Sequence, residues 1–241
     1  MYKDSNTRTK DYLENFSKDK IIRHLVNTET PVIFDVGANV GQSVDRLKEA
    51  WPDSTVHSFE PMPEAYAVLH DTVTKYSNVY CYNTALGKHN GTQSFNVSKH
   101  QPMLSSFYKL NPHSKDSIAL NDPQHDHTNF LDSYVLDVNV RTLDSIAEEY
   151  NIKHIDLLKM DAQGAEEEIL ENGKEILKNT NIILAELMLY DLYNKQLSFY
   201  DLEKTLIPLG FKLFSIAHIS QNPLNGRTDW VDIIYKREYN A

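Results

Sequence analysis

The sequence predicts a Rossmann-like α/β fold on a mostly parallel seven-stranded sheet, and three observations carry that expectation. Short apolar runs alternate along the chain with segments of helical periodicity. A Gly-rich turn closes the first run and an acidic residue, Glu60, ends the second, the layout of a nucleoside-binding βαβ unit. Two extended runs joined only by a loop close the chain, which implies an antiparallel hairpin on the parallel sheet.

Each element has its own reason. Residues 11–26 place Tyr12, Leu13, Phe16, Ile22, Leu25 and Val26 on an amphipathic pattern, predicting one helix within an N-terminal helical extension over 1–30. That helix could pack on the sheet, cover a site or mediate a homodimer. Val32–Val36 is a buried strand interrupted only by Asp35 and closed by Gly37 and Gly41. The following helix has Gln42, Ser43 and Asp45 in its first turn, where acceptors and negative charge suit free amides, and Val44, Leu47 and Ala50 as its apolar stripe. Thr55–Phe59 is the second strand. Pro63 opens a helix over 63–76, and 79–86 returns as the third strand, ended by Gly87.

Simple alternation then breaks. Residues 91–97 and 134–140 alternate like strands around a long loop rich in Ser, His, Asn, Asp and Pro, so 88–140 reads as an insertion between the third and fourth core strands and as the specificity region. Thr142 caps a helix through Tyr150, and Ile155–Met160 is the next buried strand, ending at Asp161. Gly164 opens an acidic helix over 165–172, which Gly173 stops. A strand over 182–187 carries Glu186, 199–209 is helical, and 211–217 and 230–235 flank the turn signal Asn225-Gly226.

Composition narrows the class. A chain of 241 residues suits one α/β domain over 1–241. With 24 basic against 34 acidic residues, a net charge of −10 argues against a general nucleic-acid or anionic-membrane binder. A single cysteine, Cys81, allows no internal disulfide, and neither a signal-peptide core nor a run of roughly 20 apolar residues is present, so no membrane span and a cytoplasmic location are expected.

The glycine turn speaks to the ligand. Against the dinucleotide pattern G-x-G-x-x-G, the segment from Gly37 through Gln42 has Asn39 and Gln42 in the second and third glycine positions, a poor cradle for pyrophosphate. Glu60 could accept from both hydroxyls of a ribose. S-adenosylmethionine fits these terms, as an adenosine without phosphate that carries a carboxylate for the turn amides of Gly37 to Gly41 and cationic groups for Asp35. A nicotinamide-dependent oxidoreductase on the same βαβ unit, or a non-catalytic cofactor-binding protein, are the alternatives.

The motifs FDVGANVGQS, SFEPMPEAY, ALG-x-x-x-G, VRTLDSIAEEY, LLKMDAQGAEEEIL and ILAEL stand in the order and approximate spacing of FkbM-type methyltransferases, and the chain resembles that family over about residues 31–190. The resemblance implies S-adenosyl-L-methionine as methyl donor and a class I methyltransferase fold. It further implies transfer to a hydroxyl of a sugar, a nucleotide-sugar or glycan precursor, or a secondary metabolite. Carried over by position, Asp35, Gly37, Ala38, Asn39 and Gly41 would hold the methionine moiety, Glu60 the ribose, and Pro61 and Met62 would flank the adenine. Ser105 and Ser106 match a Ser-containing motif and could bring hydroxyl donors to the methionine carboxylate. Asp161 ends the strand that points at the transferred methyl, and Gln163 stands where many members carry Glu.

A hydroxyl acceptor must lose its proton, which calls for a general base or a metal. Asp161, Glu186 and His218 lie at or near strand ends, where crevices open in such sheets, and are the catalytic candidates in that order. Asp161 could instead hold the cofactor's ammonium, and Glu186 could pair with Lys159. Asp161 and Glu186 could together ligate a divalent cation, although none is expected. His113, His125, Asp126 and His127 invite a metal reading, but no helical register converges them; a loop that orders over a small-molecule or glycan-type acceptor is the expectation. Tyr190 and Tyr193 could stack on a sugar ring.

Overall fold

Burial follows the alternation of apolar runs. The structure, a computed structural model, describes residues 4–115, 117 and 130–238. In chain order the elements are α1 (Ser5–Asn15), α2 (Lys18–Leu25), β1 (Val32–Val36), α3 (Gln42–Ala50), β2 (Thr55–Phe59), α4 (Pro63–Val73), β3 (Val79–Tyr82), β4 (Ala85–Leu86) and β5 (Gly91–Ser98). There follow β6 (Ser133–Arg141), α5 (Leu143–Glu149), β7 (Ile155–Met160), α6 (Glu166–Glu171), α7 (Lys174–Leu177), β8 (Thr180–Met188), α8 (Phe199–Leu206), β9 (Phe211–Gln221) and β10 (Thr228–Arg237).

The main sheet has seven strands in the order β3-β2-β1-β7-β8-β10-β9. Strands β3, β2, β1, β7 and β8 run parallel, and β10 lies antiparallel between β8 and β9, the expected terminal hairpin. The chain winds outward from β1 to β3 and then returns to the other side of β1 at β7. Connections therefore diverge between β1 and β7, and a crevice opens at their C-terminal ends. On one face Phe34, Leu158 and Ile183 pack against α5, α6 and α8 through Ile146, Ile169 and Leu202. On the other, Ile33, Leu157 and Ile234 meet Ile21 and Ile22 of α2 and Trp51. Among the described residues no helix is long and apolar enough to cross a membrane.

Two expectations need correction. The single helix over 11–26 is two helices, because Phe16 is extended and Ser17 starts afresh as a cap, accepting from the Lys20 amide at 3.3 Å. The strand over 79–86 splits after Tyr82. Asn83 turns its side-chain amide to the carbonyls of Glu60 and Pro61, each at 3.0 Å, and the Thr84 hydroxyl donates to the Asn139 carbonyl at 3.0 Å. The chain thereby leaves the main sheet, and β4 joins a second sheet of order β4-β6-β5. This smaller sheet buries Phe95, Val97, Val138 and Val140 against Met62 and Ala65, which sets the insertion beside the end of β2.

Candidate active site

The crevice is shaped by close backbone contact. At Gly37, φ is 74° and an added Cβ would lie 2.0 Å from the Asp161 carbonyl oxygen, so only glycine lets the β1 turn touch the end of β7. The turn is self-contained: the Gly37 and Ala38 amides donate to the Phe59 carbonyl at 3.1 Å, the Gly41 amide to the Ala38 carbonyl at 3.0 Å, and the Asn39 amide to Glu60 Oε2 at 3.0 Å. The expected row of free amides for a carboxylate is therefore not presented; these N–H groups are spent folding the turn. Glu60 gains by it. Its Oε1 accepts from the Met62 amide at 2.9 Å, and at 4% exposure burial pushes it up to about 7. Each oxygen keeps a lone pair for a further donor.

A cavity of about 330 Å³ fills the crevice. Gly37, Asn39, Glu60, Pro61 and Met62 line one side, and Pro102–Leu104, Ser105 and Phe107 of the insertion roof it. Asp161, Gln163, Glu186, Met188, Tyr190 and Trp230 form the far wall. Asp35, Ala38 and Gly41 do not reach it. Strand alternation sends Asp35 to the opposite face, where its carboxylate accepts from the Ser43 hydroxyl and pairs with Lys159 at 2.8 Å. That pairing also takes the lysine expected for Glu186. The two serines part company as well. Ser105 lines the cavity, its oxygen accepting from the Ser98 amide at 3.1 Å. Ser106 is fully buried, donates to the Gln163 carbonyl at 2.6 Å and accepts from the Tyr108 amide at 3.1 Å, so it ties the roof down and has no proton left for a ligand.

The far wall joins two carboxylates through one amide. Gln163, at φ 51°, donates from Nε2 to Asp161 Oδ1 at 2.7 Å and to Glu186 Oε1 at 3.1 Å. Its Oε1 accepts from the Tyr193 hydroxyl at 2.7 Å. Tyr193 is thus buried as a support, not a stacking surface, whereas Tyr190 faces the cavity. Burial, then the charges of Asp161, Asp232 and Glu166, pushes Glu186 up to about 8. Glu166 fixes the loop after Asp161 by accepting from the amides of Ala162 at 2.7 Å and Gly164 at 3.0 Å, and burial pushes it up to about 7. The sequence places Glu166 only within an acidic helix; its position in the first turn after Gly164 is the signal that it could cap the preceding amides.

His218 stands apart from the cavity. It lies on β9 opposite Asp232 and lines an adjoining hollow of about 280 Å³, which shares Asp161, Glu186 and Trp230 with the cavity. Phe95, Phe107, Met188 and Trp230 were also missed, since their meeting depends on how the insertion and the hairpin fold over the sheet. Among the described residues no group of three or more His, Cys, Asp or Glu side chains is placed to hold a metal. His113 is exposed, and His125, Asp126 and His127 lie outside the described residues.

Comparison with known proteins agrees with this layout. A family model of the methyltransferase FkbM domain matches residues 35–213. The chain is 27% identical over 205 residues to the 2-O-methyltransferase NoeI of Sinorhizobium fredii, covering 79% of each protein. It is 26% identical over 142 residues to Methyltransferase 1 of Beauveria bassiana, covering 57% of this chain and 56% of that protein. A crystal structure of a methyltransferase FkbM from Methylobacillus flagellatus KT shares the fold, with a TM-score of 0.54 at 13% identity over 86% of this chain and 44% of that one.

Proposed function

This chain belongs to the FkbM methyltransferase family and is an S-adenosylmethionine-dependent methyltransferase, and from that premise we propose that it methylates a hydroxyl of a sugar, a glycan precursor or a related small polyol. The nicotinamide-dependent and non-catalytic alternatives give way to that membership. Similarity to a 2-O-methyltransferase supports oxygen as the nucleophile.

The observation that carries the donor site is Glu60: a buried carboxylate held by two backbone amides, facing a cavity of nucleoside size. Ribose hydroxyls donate to it, and Pro61, Met62, Phe95 and Phe107 offer an apolar slot for a base. Asn39 stands where a pyrophosphate would need glycine. When bound, S-adenosylmethionine supplies an electrophilic methyl on a sulfonium, so alignment contributes most of the acceleration. Asp161 takes the hydroxyl proton. Gln163 aims its carboxylate, and Glu186, largely protonated at neutral pH, keeps the pair from carrying two full charges.

Calorimetric titration of S-adenosylmethionine into the wild type and Glu60→Gln tests the donor site. The variant is expected to bind about tenfold or more weakly, the loss of charge-assisted hydrogen bonds. Unchanged affinity removes Glu60 from the ribose role.

A further inference from the structure

Beside the donor cavity lies a hollow with a different chemistry. It gathers basic side chains from four separate elements: Lys18 of α2, Arg46 of α3, Lys159 of β7 and His218 of β9. Such convergence is notable in a chain of net charge −10. Asp161, Glu186 and Asp232 line it too, so the hollow holds no surplus of positive charge, and what sets Arg46 apart is its pairing. Lys159 is held by Asp35 at 2.8 Å and Lys18 by Asp232 at 2.7 Å, while Asp161 and Glu186 both accept from Gln163. Arg46 has no hydrogen bond or ion pair among the described residues, and its planar fork suits phosphate oxygens.

Space and continuity point the same way. A cavity of about 330 Å³ is close to filled by a nucleoside joined to an amino acid, so an acceptor must reach the methyl from beyond Asp161 and Glu186, where the hollow begins. Trp230 walls both spaces and offers an aromatic face for a sugar ring. On its far side the hollow shares Lys18, Arg46 and Lys159 with a groove of about 350 Å³ between α2 and α3, whose walls include Ile22, Trp51 and Leu184.

We propose that this hollow is the acceptor subsite and that the acceptor is a sugar esterified to phosphate, its ring against Trp230 and its phosphate between Arg46 and Lys18. The inference rests on the methyltransferase reading above. In the transfer the sugar oxygen bonds the methyl carbon as the carbon–sulfur bond breaks, the sulfur leaves as a neutral thioether with that electron pair, and the hydroxyl proton passes to Asp161. The groove holds whatever else the phosphate carries, so free sugar phosphates and nucleoside diphosphate sugars are two sources of one chemistry.

Labelled donor is supplied with neutral monosaccharides, the same sugars as 1-phosphates, and nucleoside diphosphate sugars. Transfer to one of the phosphate-bearing sets is expected, and which one identifies the source. For that acceptor Arg46→Gln raises KM about tenfold with kcat within about twofold, Arg46→Lys recovers part of the loss, and calorimetric donor affinity is unchanged in both. A second measurement does not depend on the sugar chosen. With S-adenosylhomocysteine bound, inorganic phosphate is titrated while the Arg46 guanidinium and His218 ring signals are followed by NMR. Saturable shifts in the wild type that weaken in Arg46→Gln are expected. Neutral sugars turned over equally by wild type and Arg46→Gln, or phosphate that moves neither signal, overturn the proposal. Failure of the wild type to bind donor would instead overturn the reading on which it rests.

Discussion

A glutamine side chain has one acceptor oxygen and two N–H donors, and at Gln163 all are engaged: the oxygen by Tyr193, the two hydrogens by Asp161 and Glu186. Without the amide two carboxylates would face each other unscreened, and Glu186 would retain its proton to higher pH. Gln163→Leu is therefore expected to move the Glu186 titration upward by about one pH unit or more, read by carboxyl 13C NMR, and to lower kcat about tenfold with donor affinity little changed. Wild-type titration in that variant would deny Gln163 a positioning role. Glu60 gives a second pH-dependent outcome. Held at about 7 in the free protein, it must lose its proton to accept from a ribose, so donor affinity rises with pH up to about 7 and levels off above it. Glu60→Gln removes that dependence; a slope that persists in the variant would assign it to another group. Glu60 and Asp161 were legible because each closes an apolar run beside a glycine turn. The support from Tyr193 was not, since a side chain 30 positions away meets Gln163 only after β8 has docked.

At the scale of elements, the insertion is the roof of the cavity, and several polar ties from the far wall hold it, among them Asn111 and Ser114 to Asp191 and the Tyr193 hydroxyl to the Leu104 carbonyl. Ser106 bonds the Gln163 carbonyl, and the Tyr108 hydroxyl donates to Glu168 at 2.7 Å and accepts from Lys195 at 3.0 Å. An isolated bridge also pairs Leu110 with Tyr193. Ser106→Ala leaves the Gln163 carbonyl and the Tyr108 amide without their partner, a cost of about 1–3 kcal/mol concentrated on the roof. Donor dissociation, followed by stopped flow, is expected to quicken about tenfold, while the core strands keep their hydrogen-exchange protection. Unchanged dissociation would mean that the roof is held elsewhere. Element boundaries were readable where composition marks them: β1, β2 and β7 begin and end as expected because apolar runs stop at glycine or acid. The break at Ser17 and the departure at Asn83 depend on side-chain hydrogen bonds that apolar periodicity does not register. Asp35 illustrates the same limit on the site. Its strand position was clear, but its face became decisive only when Lys159 and Ser43 met it there.

For the whole molecule, the site places three buried carboxyls, Glu60, Glu166 and Glu186, where burial pushes them up to about 7, 7 and 8. Each has a folded-state pKa above its ordinary value of 4.5, so the folded chain holds more protons than the unfolded one over that interval. The resulting stability is fully present below about 4.5 and is lost as pH rises through 7 to 8. His57 acts in the other sense. Burial pushes it down to about 4, so folding gains as pH rises from there to 6.5, the ordinary histidine value. Above 6.5 the carboxyls act without that opposition, and their ionisation carries the molecule towards its full formal charge of −10. The free protein is therefore expected to lose stability between pH 6.5 and 8.5, with Glu60 and Glu166 contributing on the order of 1 kcal/mol each, read as a falling urea midpoint. Glu166→Gln should flatten part of the slope, although the variant starts less stable because its amide cannot accept from both Ala162 and Gly164. Saturating donor should flatten another part, since ribose hydroxyls favour the ionised Glu60. A midpoint that holds level or rises over this interval would show that these carboxyls ionise more readily than their burial implies.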